Sequence, residues 1–214
     1  MKVRSYRAED REAVRTICFE TGLMGDPVVS QFGDKEAFAD LFTGYYTDKE
    51  PESCFVVEAA DGKVVGYLVG TLDTRKATSV DAVMAKVAFT RHLGWRPSTA
   101  RFFWRGIGDS AKMLLRAESK VRPDLDAFPA HTHFSLLPEA RQAPLAAGLY
   151  RAFFLYAKKK GCPGLHGEVF AENVRAAALH QAMGFKREGE PSFAPALRGP
   201  NGESLHIQLW TRKL

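Results

Sequence analysis

The sequence predicts an α/β fold built on one sheet, and three observations carry that expectation. The element order reads β α α β β, an interruption, then β α β α β β. A β-hairpin turns at Asp61-Gly62 between two apolar runs. The 214 residues are 45% hydrophobic and 11% aromatic, enough for one sizeable core and too apolar for a disordered chain.

Each element follows from local pattern. Val3, Ser5 and Tyr6 form a short strand, and the helical spacing of Val14, Ile17 and Cys18 puts a helix after it. An acidic start and apolar positions three to four apart predict a second helix over residues 34–46. The hairpin joins strand 54–58 to strand 64–72. Two helices, about 78–93 and 98–119, then interrupt the α/β rhythm around Gly94-Trp95-Arg96-Pro97. Strand 130–137 is stopped by Pro138, and a long helix over about 141–160 ends in Lys158-Lys159-Lys160-Gly161. A strand at 165–170, a helix at 173–183 closed by Gly184, and strands at 185–189 and 204–212 complete the chain. No repeat or low-complexity segment breaks it, so residues 1–214 are expected to form one domain with a helical insertion at about 75–127.

Composition narrows the function classes. No apolar run reaches the ~18–20 residues of a bilayer span, so no membrane role is expected. Residues 1–5 lead into charged sequence without an apolar core or cleavage site, so no signal peptide is expected. Cys18, Cys54 and Cys162 lack CxxC spacing, which argues against a disulfide framework or zinc ribbon and for a reducing, cytoplasmic setting. The net charge of +5 is unevenly spread. Residues 75–122 hold eleven basic and three acidic residues, a local +8, and the remainder carries −3. This is a slightly acidic α/β chain with a basic insertion, a patch expected to steer an anionic partner or to be a solvated helix face. No recognition motif accompanies the charge, so nucleic acid is not an expected partner.

The chemistry gathers in the second half. Strand 130–137 runs through Pro138 into the helix start Arg141-Gln142-Ala143-Pro144-Leu145-Ala146-Ala147, where unpaired N–H groups and the helix dipole offer a seat for phosphate. Later, Asn173-Val174-Arg175-Ala176 opens a helix that ends at Gly184-Phe185. These segments resemble the GCN5-related N-acetyltransferase (GNAT) family. There a proline-ended strand leads to an Arg/Gln-x-x-Gly-x-Gly/Ala loop, and an Asn-x-x-Ala-x-x-x-Tyr-x-x-x-Gly-Phe helix follows. The resemblance covers 1–74 and 128–214. Within the family, Gly25 to Asp73 is similar to the acetyltransferase-like C-terminal domain of O-GlcNAcases, which carries an insertion at the same place.

The resemblance implies a mixed, mostly antiparallel sheet flanked by helices, with the insertion after the third strand. It implies acetyl-CoA as co-substrate and an amine acceptor, small molecule or protein, attacked directly without a covalent enzyme intermediate. The backbone of Phe134, Ser135 and Leu136 falls on the segment that pairs with the pantetheine arm. Arg141, Gln142, Ala143, Pro144, Leu145, Ala146 and Ala147 fall on the pyrophosphate loop. Asn173 falls on the cofactor-contacting asparagine, Glu168 on a general base of some protein-acetylating members, and His180 on the tyrosine that protonates the thiolate. Each has a bland reading: an edge carboxylate for Glu168, a helix cap for Asn173, a packing histidine for His180.

Two residues depart from the pattern. Pro144 replaces a loop glycine and removes one N–H donor, at little cost if it sits in the first turn. His180 replaces the tyrosine, and an imidazole with a reference pKa of ~6.5 is mostly neutral at pH 7. A catalytically degenerate acetyltransferase acting as a binding module is therefore the alternative. His131 and His133 share one strand face, without a third ligand nearby for a metal. Arylalkylamine N-acetyltransferases use paired strand histidines as a water-linked base. Here the pair falls one residue out of place, and only a slip or bulge would reverse its facing. Arg105-Gly106-Ile107-Gly108 copies the pyrophosphate loop superficially, but no strand precedes it, and Phe102-Phe103-Trp104 reads as core or lid packing.

Overall fold

A computed structural model describes residues 1–115 and 120–214. Seven strands form one sheet in the order β1-β2-β3-β4-β5-β7-β6: β1 (Lys2–Ser5), β2 (Phe55–Glu58), β3 (Val64–Thr71), β4 (Ala130–Leu136), β5 (Gly164–Phe170), β6 (Lys186–Arg198) and β7 (Ser204–Lys213). Every neighbouring pair is antiparallel except β4 and β5. This is the mixed, mostly antiparallel sheet the resemblance implies.

Strand alternation divides the core into two layers. On one face Phe55, Val57, Leu68, Leu165 and Trp210 pack under α6 (Ala143–Lys159) and α7 (Val174–Ala182). On the other, Val56, Tyr67 and Val69 meet α1 (Arg11–Glu20) and the helices after it. The second predicted helix is a longer unit: α2 (Lys35–Ala39), a π turn (Asp40–Gly44) and α3 (Tyr45–Lys49). The buried Asp34 side chain caps it by accepting from the Ala37 N–H at 3.0 Å.

The insertion forms α4 (Val80–Thr90) and α5 (Pro97–Leu115); the expected helix positions 116–119 lie outside the described residues. Asp34 also staples the insertion to the domain through Arg91 at 3.0 Å and Arg96 at 2.6 Å. Buried Asp109 fastens α5 to β6 by accepting from Arg198 and from the Ala196 N–H. The glycine motif sits inside α5. There Gly106 gives close approach to β6, since a Cβ would stand 3.2 Å from Ala196. Phe102 and Phe103 pack against the core, while Trp104 is exposed and donates to the Gly94 carbonyl.

The largest departure from the expected elements is β6, which continues past residue 189 to Arg198 despite Pro191 and Pro195. As the last strand in the sheet it has one free side, and its register shifts twice against β7. An edge strand with bulges tolerates the missing N–H donors.

Candidate functional site

β4 and β5 pair in parallel at only two positions, Ala130 with Leu165 and His131 with His166. Beyond them the strands part, while each keeps its other neighbour: β3 for β4 and β7 for β5. The fork opens a cavity of about 260 Å³, lined by both strands, the α1–α2 connection and α7. A larger groove of about 680 Å³ lies between α4 and α5. Its lining is mainly aromatic and aliphatic and includes no strand end, so the chemistry is assigned to the fork.

One face of the fork is polar. The β3–β4 register runs unbroken from Gly66–Leu136 to Thr71–His131, so no bulge turns the histidine pair. His131 and His133 face the α1–α3 layer, and the parallel register puts Glu168 on the same side. The His131 Nε2 lies 2.6 Å from the Tyr46 hydroxyl, and its Nδ1 lies 2.6 Å from the Thr74 hydroxyl. Thr74 already donates to the Pro129 carbonyl, so it accepts from Nδ1–H and Tyr46 donates to Nε2. Burial, then the neighbouring His166 and His133, push the His131 pKa down to about 3. His131 is thus locked and neutral. His133 presents its ring to the cavity beside Phe42, at a centroid distance of 5.2 Å. Surrounding protein lowers its pKa, and the charge of Glu168 works against that shift. Glu168 is ion-paired to Lys120 of the insertion at 2.8 Å.

The opposite face is aromatic. His180 is buried, and its Nδ1 lies 2.9 Å from the Ala176 carbonyl, which can only accept; Nδ1 therefore carries the proton. Burial lowers its pKa, so the ring is neutral and Nε2 keeps its lone pair. The Tyr150 hydroxyl stands 3.2 Å from that lone pair and donates to it. Gly167 makes room for the ring, because a Cβ there would stand 3.2 Å from Nε2.

At the mouth, α6 begins at Ala143, two residues later than expected, after a 3₁₀ turn at Pro138–Ala140. Pro144 occupies the first turn, where its missing N–H leaves no helical bond unmade. Arg141 donates through Nε to the Leu136 carbonyl at 3.2 Å and through an Nη to the Gly25 carbonyl. The Arg175 guanidinium converges there: a Cβ on Gly25 would stand 3.3 Å from Arg141 Nη2 and 3.4 Å from Arg175 Nη2. Gly25 has φ +103°, which favours glycine. Neither arginine has a carboxylate partner among the described residues. Asn173 caps α7, its Oδ1 accepting from the Ala176 N–H at 3.1 Å.

Of the expected site residues, Phe134, Ser135, Glu168, Asn173 and His180 line one cavity. Leu136 and Arg141 to Ala147 are not among its lining residues; Arg141 reaches it only through its contact with Gly25, and Ala146 is buried in the core under α6. Sequence reasoning missed Thr132, Tyr150 and Arg175. The last had a signal, since a cation in the first turn of α7 opposes the helix dipole. No group of three or more metal-ligating side chains occurs among the described residues, and no described helix is long and apolar enough to cross a membrane. Five of the insertion's cations are engaged within the chain: Arg75, Arg91, Arg96, Arg105 and Lys120.

No protein-family model matches the chain. Among solved structures it is similar to SsHAT, at 27% identity over 99% of this chain and 97% of that one, with a TM-score of 0.67. It is also similar to a GNAT superfamily phosphinothricin acetyltransferase from Sinorhizobium meliloti, solved in complex with AcCoA. That match has 17% identity, covers 100% of this chain and 88% of the other, and has a TM-score of 0.57. A ribosomal-protein-alanine N-acetyltransferase from Brucella melitensis matches at 15% identity over 100% of both chains, with a TM-score of 0.58.

Proposed function

The chain has the GNAT fold, and on that premise we propose that it is an acetyl-CoA-dependent N-acetyltransferase acting on an amine by direct attack. The observation that carries this reading is the fork: two parallel strands that part after two residue pairs, beside a carboxylate and between two unlike faces. The AcCoA complex of the Sinorhizobium meliloti neighbour supports acetyl-CoA as co-substrate.

In this reading the thioester lies along β4 at Phe134 and Ser135, with its carbonyl polarised by backbone N–H groups. Arg141, the α6 N-terminus through Ala147, and Arg175 take the phosphates at the mouth; Asn173 contacts the cofactor while capping α7. The acceptor enters on the polar face. Glu168 removes its proton once Lys120 gives way, and His133 extends the polar wall beside it. The amine nitrogen then attacks the carbonyl carbon, and the C–S bond breaks with its electron pair on sulfur. Positioning does most of the work.

Direct attack is supported by the state of Cys18. It lines the cavity, but burial pushes its thiol up to about 12, so it offers no thiolate for an acyl-enzyme. We assign residues 1–214 to one domain working in a reducing, cytoplasmic setting, with both Cys18 and Cys54 buried as free thiols.

The test is incubation with acetyl-CoA and a panel of small amines, peptides and lysine-bearing proteins, with free thiol and acetylated product followed together. Product formation that depends on Glu168 is the expected result. Acetyl-CoA binding without transfer to any class of amine would favour the degenerate binding module.

A further inference from the structure

We infer that the Tyr150 hydroxyl is the proton donor to the coenzyme A sulfur, with His180 as the residue that positions it. The inference rests on the acetyl-CoA reading and assigns one role within that site.

His180 is poorly placed to donate. Its only proton is committed to the Ala176 carbonyl, and the nitrogen nearest the cavity carries a lone pair. Protonating that nitrogen would put a charge among Phe134, Tyr150, Phe185 and Trp210, whose rings surround it. Tyr150 has the opposite character. Burial raises its pKa, so it holds a proton throughout the physiological range.

Its location fits the role. Thr132 is the first β4 residue past the last β4–β5 pair, and Gly167 is its counterpart on β5. Tyr150 lines the cavity although it is only 1% exposed. Edge contacts with Phe134 at 5.2 Å and Phe185 at 5.7 Å fix its ring, leaving rotation about the C–O bond as the freedom of the hydroxyl. At 3.2 Å the bond to His180 is long for a hydroxyl donor, so little is lost when the hydroxyl turns toward sulfur.

The proton balance closes. As the N–C bond forms and the C–S bond breaks, the Tyr150 proton passes to sulfur and gives the free thiol. The phenolate is restored through water by the proton that Glu168 took from the acceptor nitrogen. One proton moves from nitrogen to sulfur, and His180 stays neutral.

Coenzyme A itself is the probe, so no acceptor is needed. The ionisation of its bound thiol is followed by ultraviolet thiolate absorbance against pH, with acetyl-CoA affinity measured in parallel. Tyr150→Phe should keep acetyl-CoA affinity while making the bound thiol about 10- to 100-fold harder to ionise, the size of one hydrogen bond to a charged group. His180→Gln, which keeps an acceptor for the phenol, should leave the ionisation within about threefold; His180→Leu should shift it part of the way. Unchanged ionisation in Tyr150→Phe would overturn the inference. So would a change of tenfold or more in His180→Gln, which decides the matter even if Tyr150→Phe fails to fold. Failure of the unaltered protein to bind either coenzyme A or acetyl-CoA would instead bring down the acetyl-CoA reading, and this inference with it.

Discussion

The two faces of the fork are made from the same two strands and are chemically unlike. On the α1–α3 side, β4 and β5 present His131, His133 and Glu168. On the α6–α7 side the alternate residues, Thr132, Phe134 and Gly167, meet Tyr150 and His180 inside a ring of aromatics. On the proposed function, strand alternation alone gives a single sheet one face for moving a proton off an amine and another for holding a sulfur. Five variants would break or sharpen that contrast.

The largest effect is expected at Glu168. Glu168→Gln should slow acetyl transfer by about 100- to 10,000-fold, the usual contribution of a positioned base, with acetyl-CoA affinity unchanged. Kinetics with any acceptor found in the amine panel, beside calorimetry, separates the two quantities. Loss of affinity without loss of rate would move Glu168 to the cofactor side.

The next concerns His131, which belongs to the polar face but is locked by Tyr46 and Thr74. Its pKa falls from 6.5 to about 3 on folding, so the unfolded chain takes up a proton the native ring refuses. The ring costs nothing above about pH 6.5 and destabilises the fold progressively as the pH falls toward about 3, by on the order of 5 kcal/mol at full titration. His131→Asn should flatten the acid limb of the stability profile measured by denaturant unfolding. An equally steep limb would mean that other groups carry it, among them Asp10, Asp34 and Asp109, whose arginine partners hold their pKa values low.

At the mouth, Arg141→Ala and Arg175→Ala should each weaken acetyl-CoA binding by about tenfold, leave turnover at saturation unchanged, and reduce the salt dependence of binding. An effect on turnover instead would show that the Arg141–Gly25 contact acts on the acceptor side. The smallest expected effect is at Pro144. Restoring its N–H with Pro144→Ala should tighten acetyl-CoA binding about two- to tenfold if the phosphates use that donor, and not at all otherwise.

Much of this was legible in the sequence because it is local. The Asp61-Gly62 hairpin, the Pro138 stop, the Asn173 cap and the turn at Gly184, with φ +81°, each depend on a few adjacent residues. What was hidden depends on residues far apart in the chain. Tyr150 reads as one more member of the apolar face of α6, beside Leu149, Phe153 and Phe154. Its hydroxyl gains meaning only where that face meets the fork and a histidine 30 positions away. The Arg141 and Arg175 pair likewise forms around Gly25. The strand past Glu190 was hidden for another reason: its prolines exclude a central strand, and only sheet order shows it to be an edge.

The central claim is that the fork is an acetyl-CoA site, and calorimetric titration of the full chain with acetyl-CoA tests it most directly. One site per chain is expected, with affinity that falls as salt screens the arginine mouth. Absence of heat up to millimolar acetyl-CoA would contradict the account.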